Sequence, residues 1–321
     1  MNNDIAGIHH VTALASDPQR NVVFYAGVLG LRLVKRTVNF DDPGTYHLYY
    51  GDEQGTPGTI LTFFPWPGAR RGRQGTGQAT ACAFSIPEAA LGYWLERFVK
   101  QNIEFEKPVR RFNEQVVLFR DPDGLMLELV AHEGAEQQHT GWQRGTVPGE
   151  FAIRGIHTVT LCVEAVEHTA KLLTETMRFR FVAEEGNMFR YATGTGESSA
   201  IIDLRCAPDF WTGAIAAGTF HHVAWRAADD ADQLGWRATI AASALNVTPV
   251  LDRQYFHSIY FREPGGVLFE IATDPPGFTA DEPLEQLGTH LKLPPWLEPS
   301  REQLEAQLPV LHLPQTNAAV K

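Results

Sequence analysis

The chain has three cysteines in 321 residues, Cys82, Cys162 and Cys206, and none stands at a metal-binding or redox spacing from another. That excludes a disulfide scaffold, and an odd few thiols suit a reducing compartment, so a cytoplasmic location is expected. No run of about 18 apolar residues occurs, which excludes a membrane-spanning helix. The opening stretch MNNDIAGIHH has neither a basic region nor an apolar core, so no secretory signal is expected. Positive charge is scarce as well. Lys and Arg number 27 against 38 Asp and Glu, a formal net charge of −11, which argues against nucleic acid or an anionic membrane as the main partner. The one basic cluster, Arg70-Arg71-Gly72-Arg73, reads as a solvated loop.

What is present is a duplication. Gly7-Ile8-His9-His10-Val11-Thr12 reappears as Gly155-Ile156-His157-Thr158-Val159-Thr160. The stretch from Phe119 to Leu129, FRDPDGLMLEL, reappears from Phe261 to Ile271 as FREPGGVLFEI. The two offsets nearly agree, so the first half of the chain is repeated in the second. Each half divides again into strand, helix and three strands. Asp17-Pro18 opens the first helix and Gly30 closes it. The second unit begins near Thr80, with its later strands near Phe105, Val116–Arg120 and Leu125–Val130. The third begins at Ile156 and the fourth at His221. The expected fold is therefore α+β, with four βαβββ modules forming two mixed-sheet open barrels. The expected organisation is 1–150 as an N-terminal pair of modules, 151–274 as a C-terminal pair, and 275–321 as a tail. Leu291, Leu293, Trp296 and Leu297 are expected to pack that tail on the body, with a short helix near Arg301 to Gln307.

A carboxylate in the middle of an apolar strand needs a partner, because burying an unpaired charge costs several kcal/mol. Glu270, in Val267-Leu268-Phe269-Glu270-Ile271-Ala272, is such a residue, and Glu128 is its counterpart. Side chains alternate along a strand, so His9 and His10 are expected on opposite faces, as are His221 and His222. Aligning the repeats sets His222 level with His10, whereas the third unit has Thr158 there and the second has no His. Only the first and fourth units together supply two imidazoles and a carboxylate: His10, His222 and Glu270. That set suits non-haem Fe(II) with open coordination positions. His157 reads as a satisfied core histidine and Glu128 as an ion-paired or surface residue.

The paired βαβββ units, the His-Val opening strands and the closing hairpins resemble the vicinal oxygen chelate superfamily of glyoxalases, bleomycin-resistance proteins and extradiol dioxygenases. Within it, GIHHVT (7–12), FHHVAW (220–225), DRQYFHSIYFREPGGVLFEIATD (252–274) and GFTADEPLEQLG (277–288) resemble the ring-cleaving hydroquinone and chlorohydroquinone 1,2-dioxygenase type. That resemblance covers essentially the whole chain. It implies a metal between the first and fourth units, whereas other extradiol enzymes draw both His from the third and fourth; Thr158 is where this sequence departs from them. It further implies His9, His221 and Thr12 as residues lining the active site, Arg253 as a substrate-pocket arginine and Tyr260 as a tyrosine close to the metal. His47 and His257 are further pocket candidates. The implied cofactor is Fe(II), with Mn(II) or Zn(II) as stand-ins in a crystal. The implied partners are a small aromatic and O2, and a homodimer is left open. Two alternatives remain at this point: a glyoxalase-type isomerase or lyase, and a metal-free protein that binds a small aromatic.

Overall fold

The computed structural model describes residues 4–194, 196 and 199–314. Four modules follow one another. The first holds β1 (Ile8–Ala15), β2 (Arg32–Asn39), β3 (Asp42–Gly51) and β4 (Ile60–Pro65). The second holds β5 (Gln78–Ile86), β6 (Val109–Arg111), β7 (Glu114–Arg120) and β8 (Met126–Ala131). The third holds β9 (Gly155–Val163), β10 (Arg180–Glu185), β11 (Met188–Ala192) and β12 (Ile201–Cys206). The fourth holds β13 (Phe220–Ala227), β14 (Leu251–Asp252), β15 (Phe256–Arg262) and β16 (Leu268–Pro276).

Two eight-stranded mixed sheets result, and their composition crosses the sequence order. One runs β14-β15-β16-β13-β1-β4-β3-β2 and so joins the fourth module to the first; the other runs β10-β11-β12-β9-β5-β8-β7-β6 and joins the third to the second. In both, the seam is an antiparallel pair of module-opening strands, β1 with β13 and β5 with β9. A parallel pair then follows on each side of the seam.

Local chemistry explains the element ends. Asp17 caps the first helix by accepting from the Arg20 amide at 2.7 Å, with Pro18 in the first turn where its missing N–H costs nothing. Gly30 ends it at φ +70°, a conformation that favours glycine. In the second module the helix Leu91–Lys100 buries Trp94 and Phe98, four residues apart on one face, each burial stabilising by about 2–3 kcal/mol. The repeated D-P-D-G and E-P-G-G stretches are carboxylate-capped turns. Asp121 Oδ1 accepts from the amides of Asp123 and Leu125, and Glu263 takes those of Gly265 and Val267 at 2.8 and 2.9 Å. The strand expected near Phe105 is not formed. Phe105 makes one isolated bridge to Phe119, and β6 begins only after Pro108, which has no N–H to give a ladder.

The chain after β16 wraps the first module. Buried Lys35 meets Asp281 at 2.7 Å and Glu282 at 2.9 Å, the Tyr46 hydroxyl donates to the Pro309 carbonyl, and a helix spans Arg301–Gln307. Leu291 and Leu293 are buried, whereas Trp296 is half exposed and packs edge-on against Phe40. No described helix is long and apolar enough to cross a membrane.

Candidate metal centre

The seam between β1 and β13 sets the geometry. His10 pairs with Ala224, Val11 with Val223, and Thr12 with His222, so the register is symmetric about the central valine pair. On β16, Glu270 pairs with Ala224 on one side and with Tyr260 of β15 on the other. Ala224 thus lies between His10 and Glu270 in one row, and its small side chain leaves room for the groups on either side. His222 stands two residues away on the same face.

Three donor atoms converge there from far apart in the chain. His10 Nε2 lies 3.3 Å from His222 Nε2 and 3.4 Å from Glu270 Oε2, and His222 Nε2 lies 2.9 Å from Glu270 Oε2. All three residues are buried, Glu270 completely. Ligands about 2.1 Å from a shared ion stand about 3.0 Å apart at right angles and about 3.4 Å apart at tetrahedral angles. The observed separations span that interval.

The electrostatics agree with a shared cation. Burial pushes the Glu270 carboxyl up, but His10 and His222 outweigh it and hold the group well below the usual carboxylate range. Burial pushes the His222 imidazole down, only partly offset by Glu270, so the ring is neutral. A buried carboxylate facing a neutral imidazole is the state a metal ion requires of its ligands. Glu270 Oε2 has no correctly oriented hydrogen-bond donor despite the 2.9 Å approach of His222, whereas Oε1 is held by the Ser258 hydroxyl at 2.5 Å. A cation would satisfy Oε2 and both ring nitrogens together.

His9 and His221 hold the imidazoles from behind. His9 Nδ1 lies 2.9 Å from His10 Nδ1, and His221 Nδ1 lies 2.7 Å from His222 Nδ1. Strict alternation would keep neighbouring rings on opposite faces. The register, however, slips by one residue between Ile8 and His10 and again opposite Thr12–Ala13, so His9 and His221 are each the extra residue of a β-bulge. Burial and the adjacent imidazole push His9 well below the ordinary histidine value and His221 down to about 3.

A cavity of about 320 Å³ opens over His10 and His222, with Glu270 fully buried behind them. His10, His221, His222, Arg253 and Tyr260 line it, as do His47 and Tyr49. Its outer wall is the β2–β3 turn, Asn39-Phe40-Asp41, with Trp66. Arg253 spans this mouth, 3.0 Å from Asp41 Oδ2 with its guanidinium over the Tyr260 ring. Burial and Glu270 push the Tyr260 phenol up, while Arg253 pulls it part of the way back. Neither His9 nor Thr12 lines the cavity; the Thr12 hydroxyl meets that of Thr62 at 2.9 Å. His257 is also not in the wall and pairs with Asp230 at 2.6 Å.

The symmetric register shows what the first module places opposite Glu270. Thr62 pairs with Thr12 as Glu270 pairs with Ala224, and Tyr49 faces Thr62 as Tyr260 faces Glu270. Thr62 is tied by His47 Nε2 at 2.8 Å, and His47 Nδ1 in turn meets the Tyr49 hydroxyl at 2.8 Å. The fourth corner of the site thus carries a hydroxyl in place of a carboxylate.

The second sheet fills its corresponding face with ion pairs. Glu128 receives two hydrogen bonds from Arg111, Arg190 forks onto Asp203, and His157 lies 2.8 Å from Glu114. Glu114, His132 and His157 form the second group of convergent donors among the described residues, but Arg190 already occupies the other Glu114 oxygen at 2.6 Å. Thr158, level with His10, donates to the Ile201 carbonyl. Guanidinium groups stand in this sheet where the first sheet gathers imidazoles.

A family model described as "Glyoxalase/Bleomycin resistance protein/Dioxygenase superfamily" matches residues 7–129 and 155–271, one pair of modules each. The chain belongs to this superfamily. Its superfamily relatives include the Bacillus subtilis (strain 168) protein named "Putative ring-cleaving dioxygenase MhqO", 51% identical over 94% of this chain and 95% of that one. The "Chlorohydroquinone/hydroquinone 1,2-dioxygenase" of Sphingobium indicum is 34% identical over 94% and 95%. The crystal structure of a "putative dioxygenase" from Bacillus subtilis subsp. subtilis str. 168 superimposes with a TM-score of 0.92 at 48% identity, covering 98% of this chain and 99% of that one. As a superfamily member, the chain is thus similar along nearly its full length to proteins named as dioxygenases.

Proposed function

We propose that this chain is an Fe(II)-dependent ring-cleaving dioxygenase of extradiol type that opens hydroquinone-type rings, chlorinated ones included, with O2. The observation that carries the reading is the set of three convergent donors, two imidazoles and one carboxylate, beside a ring-sized cavity with a hydroxyl at the fourth corner. His10, His222 and Glu270 are the proposed ligands. When bound, the metal supplies a Lewis-acid and one-electron centre at which ring hydroxyl and O2 are brought together.

The remaining work falls to the chain. Phe64, Phe256 and Leu268 give the cavity apolar walls that hold a ring and exclude water. Arg253 offsets negative charge on a phenolate, and the Tyr260 phenol, kept protonated, donates a hydrogen bond to an oxygen beside the ligands. His221, neutral at pH 7, accepts the His222 Nδ1–H at its own Nδ1 when His222 ligates through Nε2, which leaves the His221 Nε2–H to donate to an oxygen in the cavity. His9 and His221 fix the ligand rings, and Thr12 anchors Thr62. A cytoplasmic location and a homodimer belong to the same reading, and a monomer mass in sedimentation would remove the latter.

A glyoxalase-type isomerase is the competing activity, and it is disfavoured by Thr62 at the corner where a fourth carboxylate would complete the site. Anaerobic loading with Fe(II), followed by oxygen-electrode screening of hydroquinones, chlorohydroquinones and catechols, tests the proposal. Oxygen uptake with about one iron per chain is expected. Turnover of a thiol adduct with zinc or nickel, and no oxygen uptake, would replace it with the isomerase.

A further inference from the structure

A second cavity, of about 500 Å³, lies at the turn end of the β15–β16 hairpin, lined by Thr76, Gln78, His168, Thr212 and Arg262 among others. It shares no lining residue with the cavity over His10 and His222. Between them is a void on the order of 10 Å³. Gly77, Gln78, Ile215 and Arg262 line both the void and the second cavity, and His221, His222 and Leu268 line both the void and the donor cavity. The void therefore adjoins both cavities.

Gln78 stands at the narrowing. It is 4% exposed, and neither its Oε1 nor its Nε2 has a hydrogen-bond partner among the described residues. Leaving a buried amide unpaired costs about 1–3 kcal/mol per group. The space beside it is built rather than accidental: a methyl group on Gly213 would lie 2.2 Å from the Gln78 Cδ, so glycine is what lets the amide sit there. A void of about 10–15 Å³ with polar partners holds one water molecule, and it is far too small for an aromatic ring.

We propose that Gln78 holds a water molecule in this throat, and that the throat is a passage through which water leaves and re-enters the donor cavity from the side away from its mouth. The assignment rests on the reading of that cavity as the place where an aromatic ring binds. A ring entering past Asn39-Phe40-Asp41 and Trp66 fills the mouth, so the water it displaces needs another way out. The throat provides one beside His221 and His222.

Two measurements test this. Crystals of the metal-loaded protein diffracting well enough to show ordered water are expected to place one water within hydrogen-bonding distance of Gln78 Oε1 or Nε2. A dry throat overturns the proposal. The second measurement is stopped-flow binding of phenol, without oxygen, followed by tryptophan fluorescence. Gln78→Leu removes the polar partners, and Ile215→Trp, at a position 44% exposed and so tolerant of bulk, plugs the throat. Each is expected to slow association and dissociation by the same factor, at least threefold, with Kd unchanged, because a passage alters the barrier and not the end states. Unchanged rates in both variants overturn the proposal, whereas a loose structure would instead move Kd. If phenol binds as described but no ring is cleaved, the dioxygenase reading falls and the passage stands. If phenol does not bind at all, both fall.

Discussion

His10 Nε2 and His222 Nε2 stand 3.3 Å apart although 212 positions separate them in the chain. Two ring nitrogens at that distance gain little from each other, and the carboxylate completing the triangle has an oxygen with no hydrogen-bond partner. Removing one corner has a direct consequence. His222→Ala is expected to keep the fold, since the ring contributes to a cavity wall, and to weaken metal binding at least 100-fold with loss of oxygen uptake. Metal content by elemental analysis, beside a circular dichroism spectrum, checks it.

Ser258 would act on a metal bound at this site through Glu270. Its hydroxyl fixes Oε1 and so aims Oε2 at the two rings. Ser258→Ala is expected to weaken metal affinity by about 10–100-fold while leaving stoichiometry at one, as for other supports of a ligating carboxylate. Competition against a chelator of known affinity reads this. An unchanged affinity would mean that Glu270 is aimed by the backbone alone.

Thr62→Glu probes the open corner. The register places position 62 opposite Thr12 as Glu270 is opposite Ala224, so the new carboxylate would face the same group of donors. Tighter metal binding, an altered visible spectrum with Co(II), and at least tenfold lower oxygen uptake are expected. Retained uptake would show that the corner is not where a reactant binds.

Much of this was legible in the sequence, for physical reasons. The duplicated turns carry their own explanation, because Asp121 and Glu263 each fold back on the amides that follow. A carboxylate inside an apolar strand, Glu270, marks a buried charge wherever it occurs, and two imidazoles at matched repeat positions complete the set. The bulges were not legible. Alternation predicts that His9 and His10 diverge, and only the pairing register across β1 and β13 shows that one residue is extra. Nor does spacing reveal that Asn39, Phe40, Asp41 and Trp66 wall the cavity, since loop residues reach it through tertiary placement. The strand expected near Phe105 is absent, and pairing begins only at Val109, after Pro108, which has no N–H for a ladder. The Glu114–His132–His157 group was missed because its members come from three separate strand ends with no motif.

The ion pairs of the second sheet give a pH prediction. Burial pushes the Glu114 carboxyl up, but His157 and Arg190 outweigh it and bring it from 4.5 to about 2. A folded value below the unfolded one stabilises the native state above the unfolded pKa, and that stabilisation is lost as pH falls from about 4.5 through 2. The difference corresponds to on the order of 3 kcal/mol. Glu114→Gln is expected to lose most of that at pH 7 and to flatten the acid limb of a denaturation-versus-pH curve. A variant whose acid limb matches the wild type would contradict the assignment.

Lys35 ties the C-terminal wrap to the body. It is fully buried against Asp281 and Glu282. Lys35→Met leaves two acidic groups uncompensated and is expected to cost about 3–5 kcal/mol, seen as a lower denaturant midpoint. A loss under 1 kcal/mol would show that the tail is held without this ion pair.

The central claim is that one metal ion sits among His10, His222 and Glu270. Anomalous diffraction at the iron edge from crystals loaded anaerobically with Fe(II) tests it most directly. The account predicts a single strong peak about 2.0–2.3 Å from His10 Nε2, His222 Nε2 and Glu270 Oε2. A peak at Glu114, His132 and His157 instead, or no peak at the first site, would contradict it.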